Sequence, residues 1–173
     1  MKRTVLRFGL VSGAVMSLLM LATLPFQEAI GFDKGALVGY TGMVLAFLVI
    51  YFGVRSYRDK EGGGAVGVGR AFVVGALIAV VSSACYVATW EVIYFGLAPD
   101  FMQKYEAYAL QKAKAAGESE AAIERKRAEM AEFARIYRNP LFNAAITFVE
   151  PLPVGLLIAA ASAVALRRRT VRA

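Results

Sequence analysis

Residues 71–90 read Ala71-Phe72-Val73-Val74-Gly75-Ala76-Leu77-Ile78-Ala79-Val80-Val81-Ser82-Ser83-Ala84-Cys85-Tyr86-Val87-Ala88-Thr89-Trp90. The run holds no charged residue. As a helix it reaches across a bilayer, which takes about 20 residues. With the flanking apolar residues it extends from 71 to about 97, long enough to tilt or to run into the interface.

Three more stretches have the same character, at about 5–24, 36–54 and 141–166. Together the four use about half the chain, so no soluble domain of ordinary size fits in the remainder. The composition agrees. The 173 residues are 58% hydrophobic, against roughly 45–50% for an average soluble domain, and mean hydropathy is +0.55. The chain has no histidine and one cysteine, Cys85. That excludes His-based triads, the usual zinc ligand sets, CxxC redox chemistry and an intramolecular disulfide. The sequence predicts an all-α integral membrane protein. It is read as one membrane domain over 1–173, a four-helix transmembrane bundle with a helical hairpin at about 98–140 between spans three and four.

Lysines and arginines set the orientation. Lys2, Arg3 and Arg7 precede span one, Arg55, Arg58, Lys60 and Arg70 lie between spans two and three, and Arg167, Arg168, Arg169 and Arg172 follow span four. Only Asp59 and Glu61 oppose them. The loop between spans one and two is net negative, and 98–140 is close to neutral. The asymmetry predicts a multi-pass inner-membrane protein with both termini cytoplasmic and 98–140 periplasmic. The first span is expected to stay attached: its apolar run exceeds a signal peptide's, and Pro25 follows without a small-x-small cleavage site. The formal charge of +7 is then a topology signal. No basic-aromatic recognition motif points to nucleic acid.

Within 98–140, Phe101, Tyr105 and Tyr108 recur at helical spacing, Gly117 interrupts, and Ser119 is placed to cap a second helix. That helix carries Ile123, Met130, Phe133 and Tyr137 on one stripe and ends before Asn139-Pro140. The stripes are read as a cap on the bundle, with a partner-docking surface as the alternative. Small residues recur on every span: Gly9, Gly13 and Ser17; Gly35, Gly39, Gly42 and Ala46; Ala84 and Ala88; Gly155, Ala159 and Ala163. In lipid, association rests on close backbone approach, so these faces predict a tight bundle or a contact with a second copy.

Two acids lie inside spans, Glu91 and Glu150, with Asn143 and Thr147 on the Glu150 face. No cation lies within a span, and a lone carboxylate in low dielectric favours its protonated form. Intramembrane ionisable residues mark function as a class. The four residues are read as a candidate polar site in which the carboxylates approach each other or a shared Tyr or Trp. The structural alternative is a set of hydrogen-bonded acids near the interface. Pro151 and Pro153 can kink span four beside Glu150. In the inner loop, Gly62, Gly64 and Gly67 match G-x-G-x-x-G only formally, with no strand before them. A plain turn is the favoured reading. The alternative is an anionic phospholipid headgroup held by backbone N–H groups with Arg55, Arg58 and Arg70. No catalytic residue, metal or cofactor is assigned.

Tyr51-Phe52-Gly53-Val54-Arg55-Ser56-Tyr57-Arg58-Asp59 with its triple glycine, Pro99-Asp100-Phe101-Met102 with Lys104-Tyr105, Asn139-Pro140-Leu141-Phe142, and Pro151-Leu152-Pro153-Val154-Gly155-Leu156 form an ordered set. Together they resemble the bacterial membrane-protein family called domain of unknown function 4199. The resemblance covers nearly the whole chain. It implies a four-span bacterial membrane protein and supplies no activity or site residue. The leading functional expectation is a non-enzymatic scaffold or accessory subunit with a membrane-protein partner or a second copy. The alternatives are a small oligomeric transporter or proton-linked permeability protein using Glu91 and Glu150, and an anionic-lipid binder.

Overall fold

A computed structural model describes residues 1–167. Arg168, Arg169 and Arg172, part of the cation asymmetry, lie outside the described residues. The described chain is helical, without a strand among the described residues. In order it forms α1 (Lys2–Thr23), α2 (Gln27–Ile30), α3 (Phe32–Phe47), α4 (Val49–Lys60), α5 (Val68–Val92), α6 (Phe101–Ala115), α7 (Glu120–Tyr137), α8 (Pro140–Val149) and α9 (Leu152–Ala165). Four helical stretches are long and apolar enough to cross a membrane: Lys2–Phe26, Phe32–Lys60, Val68–Leu97 and Pro140–Ala165. They match the four predicted spans. Each starts slightly before its predicted start, and the first and second also run past their predicted ends, to Phe26 and Lys60. The chain divides into two compact units, Met1–Val87 with the chain from Phe148 onward, and Ala88–Thr147.

In the first unit, glycine and serine decide which helices touch. A Cβ added at Gly9 would lie 2.6 Å from Val81 Cβ, and one at Gly13 would lie 2.5 Å from Cys85 Cβ. Numbers rise together on α1 and α5, so the two run parallel. Gly75 sits against Ala159 and Gly155 against Ala79; here numbers oppose, so α5 and α9 are antiparallel. Ser12 donates to the Ala46 carbonyl at 2.9 Å and Gly53 abuts Phe8, which sets α1 antiparallel to α3 and α4. Helices α3 and α4 in turn contact α9. The four columns therefore close into a bundle around Phe47, Ile50, Val54, Val74 and Ile78, all fully buried. Ser82 adds a bond to the Gly9 carbonyl at 3.2 Å.

Not every predicted small face is used. Ala84 and Ala88 are exposed, because α5 presents Gly75, Ala79 and Ser82 to its neighbours. Gly35 and Gly39 face open space: a Cβ added at either would meet nothing within 4 Å.

These directions put the starts of α1 and α5 and the ends of α4 and α9 at one end of the unit. That end carries Lys2, Arg3, Arg7, Arg55, Arg58, Lys60, Arg70 and Arg167, with Asp59 and Glu61. The Thr4 hydroxyl and the Met1 amino group both reach the Glu61 carboxylate. Asp33 and Lys34 stand at the opposite end.

In the second unit, α6 and α7 pack through Leu110, Ala113 and Ile123. The turn between them uses Gly117 at φ +75, a left-handed conformation that costs glycine little. Ser119 caps α7, its hydroxyl accepting from the Ala122 N–H at 3.3 Å. Of the aromatic stripe on α6, Phe101 meets Trp90 edge-on and Tyr105 is exposed. Lys104, 3.0 Å from Asp100, holds that carboxyl below its ordinary range, and Arg135 does the same for Glu132.

Candidate functional site

The polar centre of the second unit grows from three helix ends. Asn139 opens α8: its side-chain oxygen accepts the Leu141 N–H at 2.9 Å, satisfying an orphan donor of the first turn. This fixes Asn143 and Thr147, one turn apart on the inner face of α8 and both buried. Tyr137, the last residue of α7, is set against them. Its hydroxyl accepts from the Trp90 indole N–H at 3.0 Å and lies 3.0 Å from the Thr147 hydroxyl. Thr147 donates to the Asn143 side-chain oxygen at 3.2 Å, and the Asn143 amide donates to the Tyr137 carbonyl at 3.3 Å. Each hydroxyl both gives and receives, so the chain is satisfied from the indole to the amide, as buried polar groups require.

Aromatic rings surround this chain. Trp90 meets Phe101 edge-on at 5.0 Å and lies 6.0 Å from Tyr94. Tyr94 meets Tyr137 edge-on at 5.2 Å, and Phe133 stacks on Tyr137 at 5.2 Å. Tyr94 and Tyr137 are buried, while Phe133 is exposed. Glu91 follows Trp90 on the last turn of α5. It is half-buried, and its Oε1 is enclosed without a hydrogen-bond partner.

Of the four predicted polar-site residues, the structure brings Asn143 and Thr147 together. Glu91 shares their unit. Glu150 belongs to the first unit, where Tyr86 donates to it at 3.1 Å. It is exposed, at the interruption between α8 and α9. Pro151 and Pro153 cause that interruption, because neither has an N–H for the carbonyl four residues earlier. Pro151 is fully buried, and Ser83, also fully buried, has a hydroxyl without a partner.

Among the predicted headgroup contacts, Arg58 pairs with Asp59 at 2.7 Å and Arg55 approaches the same carboxylate at 3.7 Å. Arg70 is exposed at the start of α5. The glycine loop closes α4. The Gly62 N–H bonds the Tyr57 carbonyl and the Gly64 N–H bonds the Arg58 carbonyl, while Gly63 and Gly64 adopt positive φ. This is helix-terminating turn chemistry. Two of the N–H groups proposed for a headgroup are thus committed to backbone.

The hydroxyl of Tyr137 was legible only as a member of an apolar stripe, and Tyr86 carried no signal. Both matter through contacts 10 and 64 residues away in sequence, which no local pattern encodes.

A family profile described as Protein of unknown function (DUF4199) matches residues 7–168. The chain belongs to this family. The match reaches into all four span-length helices of the DUF4199 chain and includes every residue of the polar centre. Its description carries no activity. Comparisons with curated proteins and with solved structures give no match.

Proposed function

We propose that this DUF4199 protein is a non-enzymatic scaffold or accessory subunit of the bacterial inner membrane, and that it meets a transmembrane helix of a partner protein or of a second copy through α3. One contrast carries the reading. Gly9, Gly13, Gly53, Gly75 and Gly155 each have a neighbour so close that a Cβ would collide with it. Gly35 and Gly39, one turn apart on α3, have open space. Small residues at four-residue spacing let helix backbones approach in lipid, where dispersion and close packing drive association. The cationic end of the first unit supports a cytoplasmic placement of the termini, and its exposed arginines suit anionic headgroups.

Cross-linking in native membranes tests the proposal. A cysteine at Gly39, in a Cys85→Ala background, is expected to give a discrete protein adduct. The same probe at Leu157, which is 72% exposed, is expected to give none. Equal adduct formation at both positions, or none at either, would mean that α3 faces lipid and would overturn the reading.

A further inference from the structure

Glu150 is an exposed carboxylate at the middle of a span, and we propose that it is the docking point for a transmembrane helix of another protein, one that carries a lysine or arginine near its own middle. The fourth span-length stretch is Pro140–Ala165. Glu150 lies ten residues from its start and fifteen from its end, about 15 Å and 22 Å along the axis. That is close to the centre of a hydrocarbon layer about 30 Å thick. The side chain is nevertheless exposed, and Val149 beside it is 61% exposed. The Tyr86 hydroxyl donates to Oε2 at 3.1 Å. Oε1 has no hydrogen-bond partner, and no lysine or arginine pairs with the group, among the described residues.

Lipid tails offer nothing to a carboxylate. Ionisable groups at this depth are costly and pair with one another. Charge selects the occupant. Every cation of the four spans stands within five residues of a span end, Arg7 and Arg55 being the deepest. A second copy inserted in the same direction therefore brings no cation to the depth of Glu150. It brings the same acid, which repels. A foreign helix with a central lysine or arginine has the converse need, a buried cation without a counter-charge. Pairing meets both needs through charge-assisted hydrogen bonds, the strong class. The carboxylate is also held in place. Pro151, the next residue, is fully buried, and Tyr86 fixes one oxygen while the other stays open. Less ordering is then left to the moment of binding. A helix crossing span four at about 40°, as close transmembrane pairs do, meets it around Glu150. Leu157, about 10 Å further along the axis, stays in lipid. The inference rests on the accessory-subunit reading and names the partner's chemistry, but it does not use α3.

The full chain, reconstituted in phosphatidylcholine vesicles, is titrated with a dansyl-labelled polyleucine transmembrane peptide that carries one central lysine. The same peptide with leucine at that place is the control. Trp90, the sole tryptophan of the chain, is the energy donor. The expected result is saturable transfer to the lysine peptide, above the chance transfer to the leucine peptide. Glu150→Gln should weaken association about tenfold, with helical circular dichroism unchanged. Acetylating the peptide lysine removes its charge and should abolish the excess transfer. That arm leaves the protein unaltered, so it keeps the test open if Glu150→Gln fails to fold. Equal transfer to the lysine, acetyl-lysine and leucine peptides, or unaltered affinity in folded Glu150→Gln, would overturn the proposal. Self-association of the chain that Glu150→Gln abolishes would assign the acid to a second copy and overturn it as well. A Gly39 adduct alongside a failed titration would remove this docking point and leave the accessory-subunit reading standing.

Discussion

At Gly155, a Cβ would lie 2.7 Å from Ala79 Cβ and 3.0 Å from Phe47 Cζ. Ala79 and Phe47 are fully buried, so neither can move aside without shifting a helix. Gly155→Val is therefore expected to destabilise the first unit by about 1–3 kcal/mol, the usual cost of overpacking. Gly35→Ala is the matched control. It meets nothing within 4 Å and replaces glycine inside a helix, so it should be neutral or stabilising by up to about 1 kcal/mol. Thermal unfolding in detergent checks both, and equal effects would show that α5 and α9 pack more loosely than these distances require. Serines act at the same scale. Ser12 and Ser82 use their hydroxyls to tie α1 to its neighbours through backbone carbonyls, a role that sequence spacing did not single out.

Helix ends are where local chemistry spoke most plainly. Ser119 was readable as a cap from its place after Gly117 and before Glu120, and the structure shows its hydroxyl accepting the Ala122 N–H. Ser119→Ala should weaken the first turn of α7 by about 1 kcal/mol. Faster amide hydrogen exchange at Ala122 and Ile123, with little change elsewhere in α7, is the expected observation. An unchanged rate would mean that water replaces the cap at no cost. The interruption of span four was equally legible, since proline lacks the donor that a continuous helix needs. The packing stripe of α6 was not. Leu110 and Ala113, which meet Ile123 of α7, were not singled out by the aromatic spacing of Phe101, Tyr105 and Tyr108. An amphipathic pattern reports which residues avoid water, but beside a bilayer aromatic rings have a second favourable environment at the interface.

For the molecule as a whole, the distribution of cations is the property that governs insertion. Among the described residues of the first unit all the cations but Lys34 collect at one end, set by the starts of α1 and α5 and the ends of α4 and α9. Residues 98–140 are accordingly expected on the periplasmic side. A membrane-impermeant maleimide should label Ser119→Cys, in a Cys85→Ala background, in cells with a permeabilised outer membrane. It should leave Lys2→Cys unmodified until the inner membrane is broken. The reverse pattern would invert the topology.

The number of span-length helices, the Ser119 cap, the proline break in span four and the family were legible in the sequence alone. Each depends on residues adjacent in the chain or within one helical turn, where composition, missing N–H groups and backbone freedom act directly. The partners of each helix were decided by tertiary structure. Small residues occur on all four spans, and only their register selects Gly75 and Ala79 for α9 while leaving Ala84, Ala88, Gly35 and Gly39 open. The same holds for the polar centre. Asn143 and Thr147 were visible as a helical pair, but Tyr137 and Trp90 join them through hydrogen bonds that depend on how chain segments meet in space.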